Sequence, residues 1–226
     1  MLSFAVQFIF GMFTAVFALF TLTRLGFNSV NNAIFFGAFG LTLMLMQGVM
    51  VGRWVNRFGE YRVLLAGLLL MAVGFGVTAF TPQQAVPWYS EVAMIAELAQ
   101  QGADPAQLAL LPSEAGAGFE AFLIILLGLL PGTMGFTLQL PTINTLITKR
   151  AEEAIVGEAV GVSAAFIGAG TVVGPALGGW LFEQIGPSAP FTAVSLLAAA
   201  LLILVVRVAP AVGKQGVEMS PVSVKQ

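Results

Sequence analysis

Charged residues fall in a few tight clusters along this chain, and the stretches between them are almost wholly apolar. A helix needs about 20 apolar residues to cross a bilayer. Six stretches meet that length: 4–23, 33–51, 63–80, 121–148, 159–182 and 189–206. The second is interrupted only by polar Gln47, and the fourth runs 28 residues without a charge, long enough to tilt. The pattern predicts an all-α membrane protein of six transmembrane helices.

Composition supports the bilayer as solvent. The chain is 58% apolar and 9% charged, with a mean hydropathy of +0.94. A soluble domain averages about 25% charged residues. What is missing removes whole classes of chemistry. With no His and no Cys, zinc sites of the HExxH type, Ser-His and Cys-His pairs, disulfides and thiol redox chemistry are excluded. Asp104 is the only Asp, so a two-Asp intramembrane protease is excluded, and no GxxxxGK[ST] run binds ATP. A net charge of −2 leaves no basic footprint for nucleic acid. No cofactor, no metal and no enzymatic activity are expected.

Lys and Arg set the orientation. Arg53, Arg57 and Arg62 follow the second stretch, Lys149 and Arg150 the fourth, and Arg207, Lys214 and Lys225 the sixth. Only Arg24 falls on the other side. Both termini are therefore expected in the cytoplasm, with residues 208–226 as a cytoplasmic tail. No basic residue precedes the first stretch, which is too long for a cleaved signal. The abrupt apolar start at Leu2 is read as a point that something else preceded.

Residues 82–118 form an acidic extracytoplasmic insert, with Glu91, Glu97, Asp104 and Glu114 and no Lys or Arg. Residues 88–101 fit a short amphipathic helix at the interface. Asp104-Pro105 reads as an N-cap and first helical position opening another. The insert either packs over the spans or serves as a substrate lid.

The second and fifth stretches end alike. Gly48-Val-Met-Val-Gly52-Arg-Trp54 and Gly174-Pro-Ala-Leu-Gly178-Gly-Trp180 both read GxxxGxW, 126 positions apart. Three spans separate them, so the copies run in opposite directions and imply a 3+3 inverted repeat; the competing reading is chance, since GxxxG is common in membrane helices. In the fifth stretch Gly170, Gly174 and Gly178 recur every four residues and make one smooth face. Pro175 removes the helical partner of the Thr171 carbonyl and permits a bend. Gly179 adds a small position beside the bend. Such a face suits a helix that rocks against a partner, or one statically packed at close range.

These residues resemble the major facilitator superfamily. Gly170-Thr-Val-Val-Gly174-Pro175-Ala-Leu-Gly178-Gly179 looks like its antiporter-type GxxxGPxxGG motif. Gly52-Arg-Trp-Val-Asn56-Arg57-Phe-Gly59-Glu-Tyr-Arg62 looks like its cytoplasmic-loop motif GxxxDRxGR, with Arg62 displaced by one place. Asn56 stands where the family usually has Asp, which weakens any charge-pair latch there. The resemblance covers the chain apart from the insert. It implies one six-span half of a twelve-span fold. The fourth stretch lacks the Arg-bearing motif expected of the N-terminal half, so the chain looks like the C-terminal half. The closest likeness is to drug–proton antiporters of the tetracycline-exporter kind, which implies multidrug efflux and a bacterial cytoplasmic membrane.

By that resemblance the first and fourth spans line a cavity, the second and fifth flank it, and the third and sixth face lipid. Candidate cavity residues are the polar ones: Gln7 and Thr14 in the first span, Gln47 in the second, and Gln139, Thr142 and Asn144 in the fourth. Gln7 and Gln139 are the favoured pair, each with an interhelical hydrogen bond as the competing role. Pro131 and Pro141 free the carbonyls of Leu127 and Thr137. Arg53, Arg57 and Arg62 beside Glu60 contact lipid headgroups or a neighbouring helix end, or simply hold the loop inside.

No charged residue lies deep in a span; Glu120, Glu158 and Glu183 sit at the ends. A proton-driven carrier needs a titrating group in its path, so that group belongs to another chain. The expected function is a half-sized secondary transporter that exports a small lipophilic compound by alternating access, with a second six-span half as partner. The alternatives are a truncated chain, and a partner subunit or sensor without transport activity whose working surface is the insert.

Overall fold

The computed structural model describes residues 1–100, 102, 108–151 and 155–215. The helix expected to open at Asp104-Pro105 and residues 216–226 of the tail lie outside the described residues. Among the described residues the fold is all-helical, with six helices long and apolar enough to cross a membrane. Span one is Leu2–Leu25, span two Ser29–Met46, span three Glu60–Ala79, span four Glu120–Arg150, span five Val156–Gln184 and span six Ala189–Gln215.

Helices outrun their apolar stretches and end at local stop signals. Span one closes where Gly26 takes a left-handed backbone (φ 72°) and its N–H bonds the Leu22 carbonyl at 3.0 Å. Glycine adopts that conformation without a Cβ clash. Asn28 then caps span two, its side-chain oxygen accepting from the Asn31 N–H at 2.8 Å.

Span two departs most from its predicted form. Its α-helix stops at Met46, a π turn follows over Gln47–Val51, and an α-helical continuation runs over Gly52–Phe58. The break comes at Gly59, with φ 81°, and span three begins at the next residue. Much of the basic cluster is thus helix end rather than loop.

Lipid gives helices no hydrophobic reason to associate, so close backbone packing and interhelical hydrogen bonds hold the bundle. Two glycine seams do most of this. Span five lays its smooth face on span one: a Cβ on Gly170, Gly174 or Gly178 would lie 2.7, 2.5 or 2.8 Å from the carbonyl oxygen of Phe4, Phe8 or Met12. Span three meets span four through Gly67, Gly74, Gly128 and Gly135, where a Cβ on Gly74 would lie 2.5 Å from the Gly128 carbonyl oxygen. Polar ties reinforce the seams. Ser3 and Ser163 share a hydrogen bond of 2.8 Å, and the Ser195 hydroxyl of span six donates to the Ala72 carbonyl of span three at 2.6 Å. Between the seams, buried Phe13 sets its ring 5.2 Å from those of both Phe17 and Phe75.

This packing confines the lipid-facing role expected of span three to one side of the helix. Half of its most apolar stretch is buried, against 6% for span two and 17% for span five. Its glycines let span four close on one side, and Ser195 brings span six to the other. Only the face bearing Leu69 and Val73 is open. The two GxxxGxW copies also differ in use. Gly174 and Gly178 are pressed on span one, whereas a Cβ on Gly48 or Gly52 would meet open space.

The insert covers the end of the bundle remote from the arginine-rich turn. The Gln84 and Val86 N–H groups donate to the carbonyls of Arg24 and Leu25 at 2.8 and 3.0 Å, and Gly118 donates back to Ala85 at 2.8 Å. One helix, Glu91–Gln100, buries Met94 and Leu98. The carboxylate of Glu97 accepts from the Ser29 N–H at 3.3 Å, at the start of span two.

Candidate functional site

Pro141 sits inside span four and supplies no N–H, so the Thr137 carbonyl loses its helical partner there. The Thr137 hydroxyl is itself buried and has no hydrogen-bond partner among the described residues. Opposite it lies the π turn of span two. Such turns widen a helix locally and are frequent at functional sites. Between the two irregularities opens a groove of about 520 Å³ lined by Gln47, Gly52, Phe136, Thr137, Pro141 and Asn144. Gln47 and Asn144 are exposed on it. Its polar groups donate and accept but carry no charge.

A second cavity, of about 330 Å³, lies toward the insert between the other ends of the same two spans. Phe35 and Phe39 of span two, Phe122 and Leu126 of span four, and Trp88 of the insert form its walls, with Asn31 at the rim. Phe122, Leu126, Leu130, Thr137, Pro141 and Asn144 follow one another at steps of three, four or seven residues. They therefore share one face of span four. This face, the track, bears one cavity at each end, apolar and aromatic at one and polar at the other, roughly 22 Å apart from Leu126 to Pro141 by helical rise, with buried Thr133 between them.

The sequence-based candidates divide on this geometry. Gln47 and Asn144 meet in the polar groove. Gln139 does not face the track. It is fully buried, and its Nε2 donates to the Leu64 carbonyl of span three at 3.2 Å, while its Oε1 has no partner among the described residues. The space left by Gly67 draws it there. Thr142 is likewise buried and bonds the Leu138 carbonyl of its own helix at 2.6 Å. Gln7 lies half-buried at the contact of spans one and five, its Cβ 3.1 Å from where a Cβ on Gly170 would be. Thr14 bonds back to the Phe10 carbonyl at 2.9 Å. Sequence reasoning marked the freed Thr137 carbonyl but not its hydroxyl, and passed over the aromatic cup. The signals were present: Thr137 stands four residues before Pro141, and Phe122, Leu126 and Leu130 are spaced by four.

Beyond the groove, at the same end, Asn56, Arg57 and Arg62 are exposed. The Arg57 guanidinium lies over the Phe58 ring at 5.6 Å. Glu60 pairs with Lys149 at the end of span four, which is the one ion pair among the described residues. In the fifth span Gly170, Gly174, Pro175 and Gly178 all face span one, where the Pro175 ring rests on Gly11. Gly179 points to open space. Outside the spans, burial and the charges of Glu91 and Glu114 push the Tyr89 hydroxyl up to about 12. Among the described residues no group of three or more carboxylates gathers to hold a metal ion.

Six apolar helices with a two-ended track along one face define an integral, multi-pass membrane protein. Residues 1–224 match the Major Facilitator Superfamily, and the chain belongs to it. That is a family of membrane transporters, not of enzymes, and the six spans correspond to half of its fold. No curated protein and no solved structure matches the chain.

Proposed function

We propose that the chain is the C-terminal six-span half of a secondary active transporter of the drug–proton antiporter kind, which exports a small lipophilic compound by alternating access. A second six-span half, another chain or a copy of this one, completes it. The observation that carries this reading is the track on spans two and four. One end is a cup of Phe35, Phe39, Phe122 and Trp88, and the other offers the uncharged Gln47 and Asn144, with Thr137 buried behind them. Among the described residues no Asp, Glu, Lys or Arg lines either cavity. Such a surface favours an apolar ligand held by a few polar groups over a sugar or an anion. Coupling to protons then falls to the other half, because a titrating group is needed in the path.

Span two supports the need for a partner. Ile34, Leu41, Met44 and Leu45 are all more than half exposed along it. A second half laid on this face would enclose the track. Positive-inside bias favours the cytoplasm for the arginine-rich turn, with Gly52, Asn56, Arg57, Gly59 and Arg62, and for both termini, and the antiporter likeness favours a bacterial membrane.

The test is reconstitution into vesicles under a proton gradient, with a lipophilic fluorescent dye as substrate. The chain with a second half accumulates dye, and Gln47→Leu with Asn144→Leu raises KM several-fold while protein yield holds. Uphill transport strictly linear in chain per vesicle, without any second half, would mean that a lone monomer works and overturns the half-transporter reading. Transport unchanged by the double substitution overturns the track as substrate path.

A further inference from the structure

The end of the bundle under the insert carries a single basic residue, Arg24, at the last turn of span one. Its side chain is half-buried, and Nη2 donates to the Ser188 hydroxyl at 2.8 Å. The Nε is buried with no hydrogen-bond partner among the described residues. The guanidinium lies 6.0 Å from the Phe20 ring centre. Among the described residues the only ion pair joins Lys149 to Glu60, at the other end of the bundle, so no described carboxylate pairs with Arg24. A cation held in partial burial without a counter-ion is costly at a membrane boundary, and an anion from outside the chain relieves that cost.

Space for one adjoins it. A cleft of about 540 Å³ opens between the ends of spans five and six, with Arg24, Ser188 and Thr192 as its polar lining and Ile185, Ala193 and Leu196 as its apolar wall. Ile185 and Leu196 are 68% and 66% exposed, which leaves this wall uncovered. Span six starts at Ala189, so the positive end of its helix dipole faces the same cleft. Leu196 lies about two turns further along span six than Ser188, toward the bilayer centre. Charge at the membrane surface and grease below it is the layout of an anionic amphiphile.

We propose that this cleft binds a phosphate-bearing anion, the headgroup of an anionic phospholipid, with Arg24 and Ser188 on the phosphate and an acyl chain along Ile185 and Leu196. Inorganic phosphate shares the headgroup chemistry without the chain. The site lies on spans one, five and six, away from the track on spans two and four, and stands independently of what is transported.

Native mass spectrometry of the purified full chain in detergent tests it, with phosphatidylglycerol, phosphatidylcholine and inorganic phosphate as probes. Wild type retains phosphatidylglycerol over phosphatidylcholine. Arg24→Gln lowers that retention about tenfold, the scale of one charge-assisted contact. Arg24→Lys falls between, since an ammonium keeps the charge and loses the fork. Ser188→Ala, which leaves the cation in place, weakens retention by a smaller factor and keeps the test standing if Arg24→Gln does not fold. Leu196→Ser weakens the lipid but not inorganic phosphate. Full displacement of the lipid by inorganic phosphate, with Leu196→Ser silent, supports the phosphate site and names the free anion as its ligand. Equal retention by wild type, Arg24→Gln and Ser188→Ala, or no preference between the two lipids, overturns the proposal.

Discussion

Gly174 of span five and Phe8 of span one meet backbone to backbone: a Cβ on Gly174 would stand 2.5 Å from the Phe8 carbonyl oxygen. Nothing flexible lies in between to give way. The smooth glycine face is therefore occupied within this chain, where it holds spans one and five together.

The first prediction follows from that contact. Gly174→Leu forces the two helices apart and should lower stability in detergent by at least the 1–3 kcal/mol typical of overpacking. Gly179→Ala is the control five residues on, with nothing within 4 Å of its Cβ position. It should leave stability unchanged or raise it by up to about 1 kcal/mol, as alanine replaces glycine inside a helix. Thermal unfolding followed by circular dichroism separates the two.

Gln139 and the pair Gln47 and Asn144 should behave oppositely. Gln139 makes one interhelical bond, a class that averages about 0.6 kcal/mol in a membrane, and its Oε1 is buried without a partner among the described residues. Gln139→Met should change stability little and leave dye transport by an assembled transporter intact. Gln47→Leu or Asn144→Leu should raise the KM for dye at unchanged stability. The comparison is made on reconstituted protein, and a KM effect confined to Gln139→Met would reverse the assignment.

Gly59 tests the turn between spans two and three. Its φ of 81° with ψ of 154° belongs to glycine, although a Cβ there would touch nothing within 4 Å. Gly59→Ala should cost about 1–3 kcal/mol through backbone strain alone. Gly52→Ala, in helical backbone with equally open surroundings, should cost nothing. Stability of the two variants in detergent reads the difference.

Tyr89 gives the insert a pH limit. Burial first, then Glu91 and Glu114, push its hydroxyl from 10.0 to about 12. The docked insert therefore holds the phenol proton more tightly than a released one. Its contribution to docking is complete below pH 10, declines as pH rises above 10, and is lost as pH passes about 12. In a Tyr61→Phe background Tyr89 is the only tyrosine. Its phenolate absorbance should then rise with a midpoint near 12.

Much of the bundle could be read in advance because the bilayer imposes it. A backbone in lipid must satisfy its own hydrogen bonds, so any apolar run of sufficient length becomes a helix. The repeated Gly170, Gly174 and Gly178 announced a close helix contact for the same local reason. Which helix they would meet was not in the pattern. Gln139 shows the difference more sharply. A polar residue in a span must find a partner, and sequence alone left two, a cavity or a neighbouring helix. Gly67, 72 positions earlier in the chain, made the room that brought it to span three.

By itself, then, the order of residues determined six membrane-crossing helices, their approximate ends, the arginine-rich turn and the absence of ionisable chemistry between them. Each of those follows from interactions with solvent or with residues a few places away. Tertiary structure alone decided that span three packs between spans four and six, that Gln47 and Asn144 line one groove while Gln139 turns away, and that Arg24 bonds Ser188 with no ion-pair partner among the described residues. Those outcomes depend on how closely two backbones approach, and that distance is set jointly by side chains far apart in the chain.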